Sequence, residues 1–153
     1  MLQRLQTLYL LIASICMLLA STLPLARFTL PNGYIVKFES TGVFLNETLI
    51  DSTWALLVMG AITSILAVVT IFLYKGRLLQ IRLTILNTLI IIGFYIFAGI
   101  ILFNIKNSSL LETAHFSIGI VAFLPLVAIV LSILAIRRIY ADEALVRSLS
   151  RLR

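Results

Sequence analysis

The sequence predicts an all-α membrane protein, a four-transmembrane-helix bundle with a small extracytoplasmic loop or β-hairpin cap between helices 1 and 2. Three observations lead to this class. Of the 153 residues, 61% are hydrophobic and 12% are charged, which is about half the charge of an ordinary soluble domain. Four long apolar stretches contain no Asp, Glu, Lys, Arg or His. Basic residues are concentrated in the segments that would lie on one side of a membrane crossed by these stretches.

Each apolar stretch is long enough to cross the hydrocarbon core of a bilayer as a helix, which takes roughly 20 residues. Within a single domain over residues 1–153, we expect spans at residues 5–25, 54–74, 83–103 and 116–136. The first could instead be a cleaved signal peptide, since Ala20 and Ser21 are small. Its apolar stretch is longer than a usual signal core, so we expect a retained helix.

Small and polar residues within the spans predict how the helices pack. Gly60 and Ser64 lie four residues apart on one face of the second span, and small residues on one face favour close packing on a neighbour. Asn87 is expected to form an interhelical hydrogen bond, with a substrate site as the alternative. Pro125 lies near the middle of the fourth span and predicts a kink there, because proline removes a backbone donor and clashes with the preceding turn.

The charged residues predict the orientation of the chain in the membrane, because Lys and Arg accumulate in cytoplasmic segments. One side of the predicted spans has nine basic and two acidic residues, the other has three basic and four acidic, and the two balances account for the net charge of +6. Both termini are therefore predicted to be cytoplasmic. The cytoplasmic residues predicted to dock on a partner or on anionic lipid are Arg4, Arg77, Arg82, Arg137, Arg138, Arg147, Arg151 and Arg153.

The two longest segments outside the spans have different predicted structures. Residues 28–53 form an extracytoplasmic loop in which Pro31, Asn32 and Gly33 are typical of a turn, and residues 34–38 and 43–45 are the strands of a hairpin. A hairpin alone is marginally stable, so it must lie on the helices or on a partner. Residues 137–153 form a basic cytoplasmic tail helix, which either lies on anionic lipid or docks on a protein.

The titratable residues predict no catalytic, cofactor or metal site. Cys16 and His115 are the only residues of their kinds, and they lie in different parts of the predicted fold. Glu112 and His115 have the Glu-x-x-His spacing of di-metal carboxylate proteins, but those sites combine two such motifs with further carboxylates. Nucleic-acid binding is not expected either, because the basic residues flank apolar spans. We therefore do not expect an enzyme.

Three segments, at the two ends of the chain and between the second and third predicted spans, carry a family resemblance. They are MLQRLQTLYLL at residues 1–11, YKGRLLQIRL at residues 74–83 and DEALVRSLSRLR at residues 142–153. In combination they resemble a Bacteroidota family of four-span membrane proteins, the domain of unknown function numbered 4293. The resemblance covers essentially the whole chain. It implies a location in the bacterial inner membrane, and it implies no activity.

These observations favour a non-enzymatic accessory or scaffold subunit of a larger bacterial inner-membrane complex, with protein translocation or envelope biogenesis machinery as candidate hosts. Its expected partners are other integral membrane proteins and anionic lipid, and no nucleic acid. One alternative is a small transporter or channel with a path lined by Thr84, Asn87 and Thr88. Another is a membrane sensor that binds a ligand through its outer loop.

Overall fold

The computed structural model describes residues 2–73, 76–107 and 114–151. The helices within these residues are α1 (Leu2–Thr22), α2 (Trp54–Phe72), α3 (Arg77–Lys106) and α4 (Leu124–Arg151). The strands are β1 (Ala26–Thr29), β2 (Ile35–Phe38), β3 (Gly42–Leu45), β4 (Thr48–Ser52) and β5 (His115–Ile118). A 3-10 helix, Ile120–Phe123, leads into α4. All four of the described α-helices are long and apolar enough to cross a membrane.

The prediction of an all-α fold is wrong, because the described strands form an antiparallel sheet in the order β4-β3-β2-β1-β5. The strands β2 and β3 lie where the sequence indicated a hairpin. The strands β1, β4 and β5 were not predicted from the sequence, and β5 comes from the connection between α3 and α4. The sheet is therefore larger than a hairpin, and it links the α1–α2 connection with the α3–α4 connection.

The predicted fourth span begins at Phe116, which lies in β5, because apolar residues continue from Phe116 into α4. Its pairing with β1 provides backbone hydrogen-bond partners for this segment, and Phe28 lies directly opposite Phe116. Their ring centroids are 5.0 Å apart. Aromatic pairs at such distances stabilise a sheet beyond simple burial. The alternation of His115 and Ser117 with apolar neighbours is the sequence signal that favours a strand.

The prediction of a kink at Pro125 is also wrong. The helix α4 begins at Leu124, so Pro125 lies in its first turn rather than at its middle. The first backbone N–H groups of a helix have no partner within the helix, and the fixed φ of proline suits this position. Pro125 therefore helps to start α4 without disturbing its hydrogen bonds.

Each helix packs against two others: α1 against α2 and α4, and α3 against α2 and α4. At the contact between α1 and α2, Ser14 Oγ donates to the Ser64 carbonyl at 3.1 Å. A side chain at Gly60 would collide with Ser21 Oγ. Gly60 and Ser64 therefore both lie on the face of α2 that meets α1.

Hydrogen bonds join the sheet to the ends of the helices and to the connections next to them. Ser40 Oγ donates to the carbonyl of Ala20 in α1 at 3.1 Å. Thr53 Oγ1, just before α2, donates to the Glu39 carbonyl at 3.0 Å. Gly119 N donates to the Leu25 carbonyl at 3.0 Å. One apolar core runs through both layers and includes Met17, Ala20, Phe28, Phe38 and Phe94.

Candidate functional site

The outward face of the sheet carries charged and apolar side chains in one row across the strands. Ser117, Arg27 and Lys37 are opposite one another on β5, β1 and β2. The row continues from Lys37 to Phe44 on β3 and to Leu49 on β4. Val36 and Phe38 on β2 are buried. Since successive residues of a strand point to opposite faces, Lys37 and its partners face away from the core.

The basic half of this row, Arg27 and Lys37, places two positive charges side by side. Like charges directly opposite each other in an antiparallel pair destabilise it. Glu39 and Glu47 line a recess with Lys37 and Phe44, but among the described residues no carboxylate forms an ion pair with Arg27 or Lys37. Binding of an anionic group at this face would relieve the repulsion.

The apolar half of the row ends at an open edge of the sheet. Every residue of β4 is exposed, and the exposed fractions of Leu49 and Ile50 are 56% and 57%. Tyr34 and Ile35 are also exposed. Two hydrogen bonds join Ile35 to Asn46 in the turn between β3 and β4, which brings these residues to one end of the sheet. We call Tyr34, Ile35, Leu49 and Ile50 the apolar corner.

A β-bulge on β4 limits the ways in which a partner can bind at this edge. Phe44 pairs with Leu49 while Val43 pairs with Asp51, so Ile50 is an extra residue with no partner on β3. Such a bulge interrupts the regular row of backbone groups that a further strand would need. The apolar corner is therefore suited to contact through side chains rather than to extension of the sheet.

The interior of the helical layer contains polar side chains without partners. Gln80 and Asn87 on α3 and Ser132 on α4 are at most 1% exposed. The amide atoms of Gln80 and Asn87 and Ser132 Oγ form no hydrogen bond among the described residues. The interhelical hydrogen bond expected from Asn87 is therefore not present.

The threonines next to Asn87 form hydrogen bonds within α3. Thr84 Oγ1 donates to the Gln80 carbonyl, and Thr88 Oγ1 donates to the Thr84 carbonyl, both at 2.8 Å. Both hydroxyl groups therefore donate to backbone carbonyls of α3 itself. A buried polar group without a partner costs about 1–3 kcal/mol, so the interior of the helices retains polar groups at a cost to stability.

The basic residues that the sequence predicts to be cytoplasmic and to dock on a partner have different surroundings. Arg77 Nη2 lies 3.4 Å from Asp142 Oδ2, and Arg77 Nη1 donates to the Asp142 carbonyl at 3.1 Å, so Arg77 joins α3 to α4. Arg82, Arg137 and Arg138 are exposed. Arg4, Arg147 and Arg151 lie on α1 and α4, where only the helical backbone is described, and Arg153 lies outside the described residues.

The residues examined for catalysis or metal binding are not brought together. Cys16 is buried in α1, whereas His115 is exposed at the start of β5. Glu112 lies outside the described residues. Among the residues that the structure describes, no group of three His, Cys, Asp or Glu side chains could hold a metal ion.

Sequence reasoning missed two features of these surfaces. Gln80 lies before the predicted third span, yet Gln80, Thr84, Asn87, Ile91 and Phe94 are all buried on one face of α3. Their spacing of three or four residues is the signal that would have extended the helix back to Gln80. The pairing of Arg27 with Lys37 follows from the register of the sheet, and nothing local in the sequence reveals it.

The comparisons with known proteins place the whole chain in one group. The family model described as Domain of unknown function (DUF4293) matches residues 2–152. None of the curated proteins compared with the chain matches it. The family description states no activity. The surfaces described above are therefore the basis for proposing a function.

Proposed function

The chain belongs to the family described as Domain of unknown function (DUF4293), and we propose that it is a non-enzymatic accessory subunit of a larger complex in the bacterial inner membrane. Its four apolar helices anchor it, and the outward face of its sheet binds an integral membrane partner. In this proposal both termini are cytoplasmic, because the basic residues concentrate on that side. The sheet then lies on the extracytoplasmic side.

The observation that carries the proposal is the row from Arg27 to Leu49. The lipid-facing sides of the helices need no protein partner, since lipid covers them. The sheet faces water instead, where an exposed apolar patch bordered by charged residues is typical of a protein interface. The complementary surface has a carboxylate opposite Arg27 and Lys37 and an apolar side chain against the apolar corner.

The cytoplasmic side contributes a second attachment in this proposal. Arg82, Arg137 and Arg138 are exposed and available, while Arg77 is already held by Asp142. Near an anionic membrane surface each basic residue adds roughly 1 kcal/mol of attraction. We expect these residues to orient the subunit on anionic lipid while the sheet selects the partner.

Site-specific photo-crosslinking in native membranes tests the proposal. A photoreactive amino acid at Leu49 should give one discrete protein adduct, and the same group at Val58, an exposed residue of α2, should not give that adduct. The charge reversal Arg27→Glu should abolish the adduct. An acidic-to-basic change at the crosslinked site of the partner should restore it.

Three outcomes would overturn the proposal. The first is a Leu49 probe that reacts only with phospholipid, which would make the outward face a lipid-binding surface. The second is an adduct that survives Arg27→Glu. The third is a protein that migrates alone on native gels after extraction in several mild detergents.

A second candidate function, a small conduit through the helical layer, is favoured by the unpartnered polar groups of Gln80, Asn87 and Ser132. Water or a small polar solute along this face of α3 would supply their missing hydrogen bonds. In a Cys16→Ala background, Asn87→Cys should then react with a polar thiol reagent. Ile85→Cys is the lipid-facing control, since Ile85 is exposed on the same helix. Complete protection at position 87 would exclude the conduit.

A further inference from the structure

A cavity opens where the sheet meets α3 and α4. Its volume is about 150 Å³, and its walls include Phe38 from β2, Phe94, Gly99 and Leu102 from α3, and Ile118 and Pro125 near the start of α4. It lies on the side of the sheet opposite to the Arg27 row, because Phe38 belongs to the buried face of β2. The cavity is thus separate from the proposed partner-binding face.

The lining of this cavity is apolar apart from the Tyr95 side chain. An apolar cavity of about 150 Å³ stays free of water and is large enough to bind a molecule such as benzene. The cavity therefore has room for about six carbon atoms of an apolar ligand. A polar or charged solute would lose its hydrogen bonds on entering.

The cavity is accessible from the surface that the helices present to lipid. Tyr95 and Ile118 in its wall are exposed, and a side chain built at Gly99 would meet no atom within 4 Å. Gly99 therefore leaves a gap in the surface of α3. Because α3 and α4 are both long and apolar enough to cross a membrane, the molecules next to this gap are acyl chains.

A positive charge lies close to the cavity. Lys106 follows Leu102 by four residues on α3, a rise of about 6 Å along the helix axis. Its ammonium nitrogen is 5.9 Å from the centre of the Phe116 ring, which holds it over β5. A phosphate group at the membrane surface would find a cation there while its acyl chain extends toward Gly99.

We infer that this cavity binds one acyl chain of an anionic phospholipid, whose net negative headgroup interacts with Lys106. The site differs from the cytoplasmic basic surface, because it lies next to the sheet and requires a chain as well as a charge. The inference depends on the helices crossing a membrane and is independent of any protein partner.

The test uses the full-length protein in nanodiscs with phosphatidylglycerol that carries a photoreactive group at the end of one acyl chain. In the wild type, crosslinks should concentrate on the α3 residues that line the cavity. Gly99→Phe should remove these crosslinks by filling the gap. Ile100→Phe is the matched control, since Ile100 is the next residue, is exposed and does not line the cavity.

The headgroup is tested separately with Lys106→Gln. This change should lower crosslinking by phosphatidylglycerol to the level of phosphatidylcholine and leave phosphatidylcholine unaffected. Gly99→Leu is a smaller substitution that also blocks the gap, and it replaces Gly99→Phe if the larger variant does not fold. The inference is overturned if crosslinks spread evenly around α3, if they persist in the folded Gly99 variant, or if the two lipids bind equally in the wild type.

Discussion

Glu47 has a left-handed backbone conformation, with a φ of 74°, next to Asn46 with a φ of 43°. Two consecutive positive φ values define the tight turn that joins β3 to β4, and this turn type favours glycine at its second position. Asn46 is well suited to its place, and its side chain also accepts a hydrogen bond from Ile35 N. Glu47 has no such advantage.

We predict that Glu47→Gly raises the free energy of unfolding by about 1 kcal/mol, because it relieves this backbone strain. Thermal unfolding in detergent measures the change. Thr48→Gly is the control and should lower the free energy of unfolding, because strands disfavour glycine and the Thr48 hydroxyl donates to the Leu45 carbonyl. A variant Glu47→Gly that is less stable than the wild type would show that its carboxylate stabilises the sheet.

Gly60 is the position in α2 where helix packing depends most on the absence of a side chain. We predict that Gly60→Ala lowers the free energy of unfolding by about 1–3 kcal/mol, the usual cost of overpacking, because the new methyl group would collide with Ser21. Adding Ser21→Ala should recover part of this loss. Gly99→Ala, where the space is open, should be neutral or slightly stabilising.

At the scale of elements, the contact between Arg77 and Asp142 joins the start of α3 to α4. We predict that Asp142→Asn lowers the free energy of unfolding by less than about 1 kcal/mol, since a partly exposed ion pair contributes little and the Asp142 carbonyl still accepts from Arg77. Arg77→Ala removes both the ion pair and the hydrogen bond to the Asp142 carbonyl, so it should lower the free energy of unfolding by more. Arg82→Ala, an exposed change on the same helix, should stay within about 0.5 kcal/mol. Equal losses for Asp142→Asn and Arg77→Ala would contradict this account.

The elements also show what a single sequence can predict. The apolar stretches indicated where the helices lie, because length and hydrophobicity are local properties. The turn at Gly33, with a φ of 80°, followed from local residues as well. The strands β1 and β5 did not, because each is short and is stabilised by the other, and they are far apart along the chain.

The candidate site was only partly predictable for the same reason. The grouping of basic residues on the predicted cytoplasmic side followed from the sequence, but the ion pair of Arg77 with Asp142 did not. The row from Arg27 to Leu49 combines residues from separate strands, so it emerges only with the register. The absence of a described partner for the Asn87 amide could not be foreseen, since it depends on which groups of the neighbouring helices lie opposite α3.

For the whole molecule, the continuous core predicts that sheet and helices unfold together. Phe38 in the sheet and Phe94 in α3 are fully buried in the same cluster. Phe38→Ala should therefore lower the stability of the helices as well as the sheet, by about 3–5 kcal/mol. Trp54, the only tryptophan, lies where the sheet meets α2 and reports on that junction.

The measurement compares thermal unfolding by circular dichroism, which follows the helices, with unfolding by Trp54 fluorescence. The two midpoints should coincide in the wild type and should shift by the same amount in Phe38→Ala. Leu57→Ala, at an exposed position on α2, is the control with a small expected effect. A Trp54 transition well below that of the helices would show that the sheet unfolds separately.

The position of β5 at the edge of the sheet affects the order in which the protein can be assembled during synthesis. The strands β1 to β4 are complete before α2 is made, but β5 follows α3 along the chain. A nascent chain that ends within α3 therefore leaves β1 as an unpaired edge, which is a place where other chains can pair. Residues 115–118, which cover that edge, are made only after α3 and just before α4, so the sheet cannot be complete until three of the four described α-helices have been synthesised.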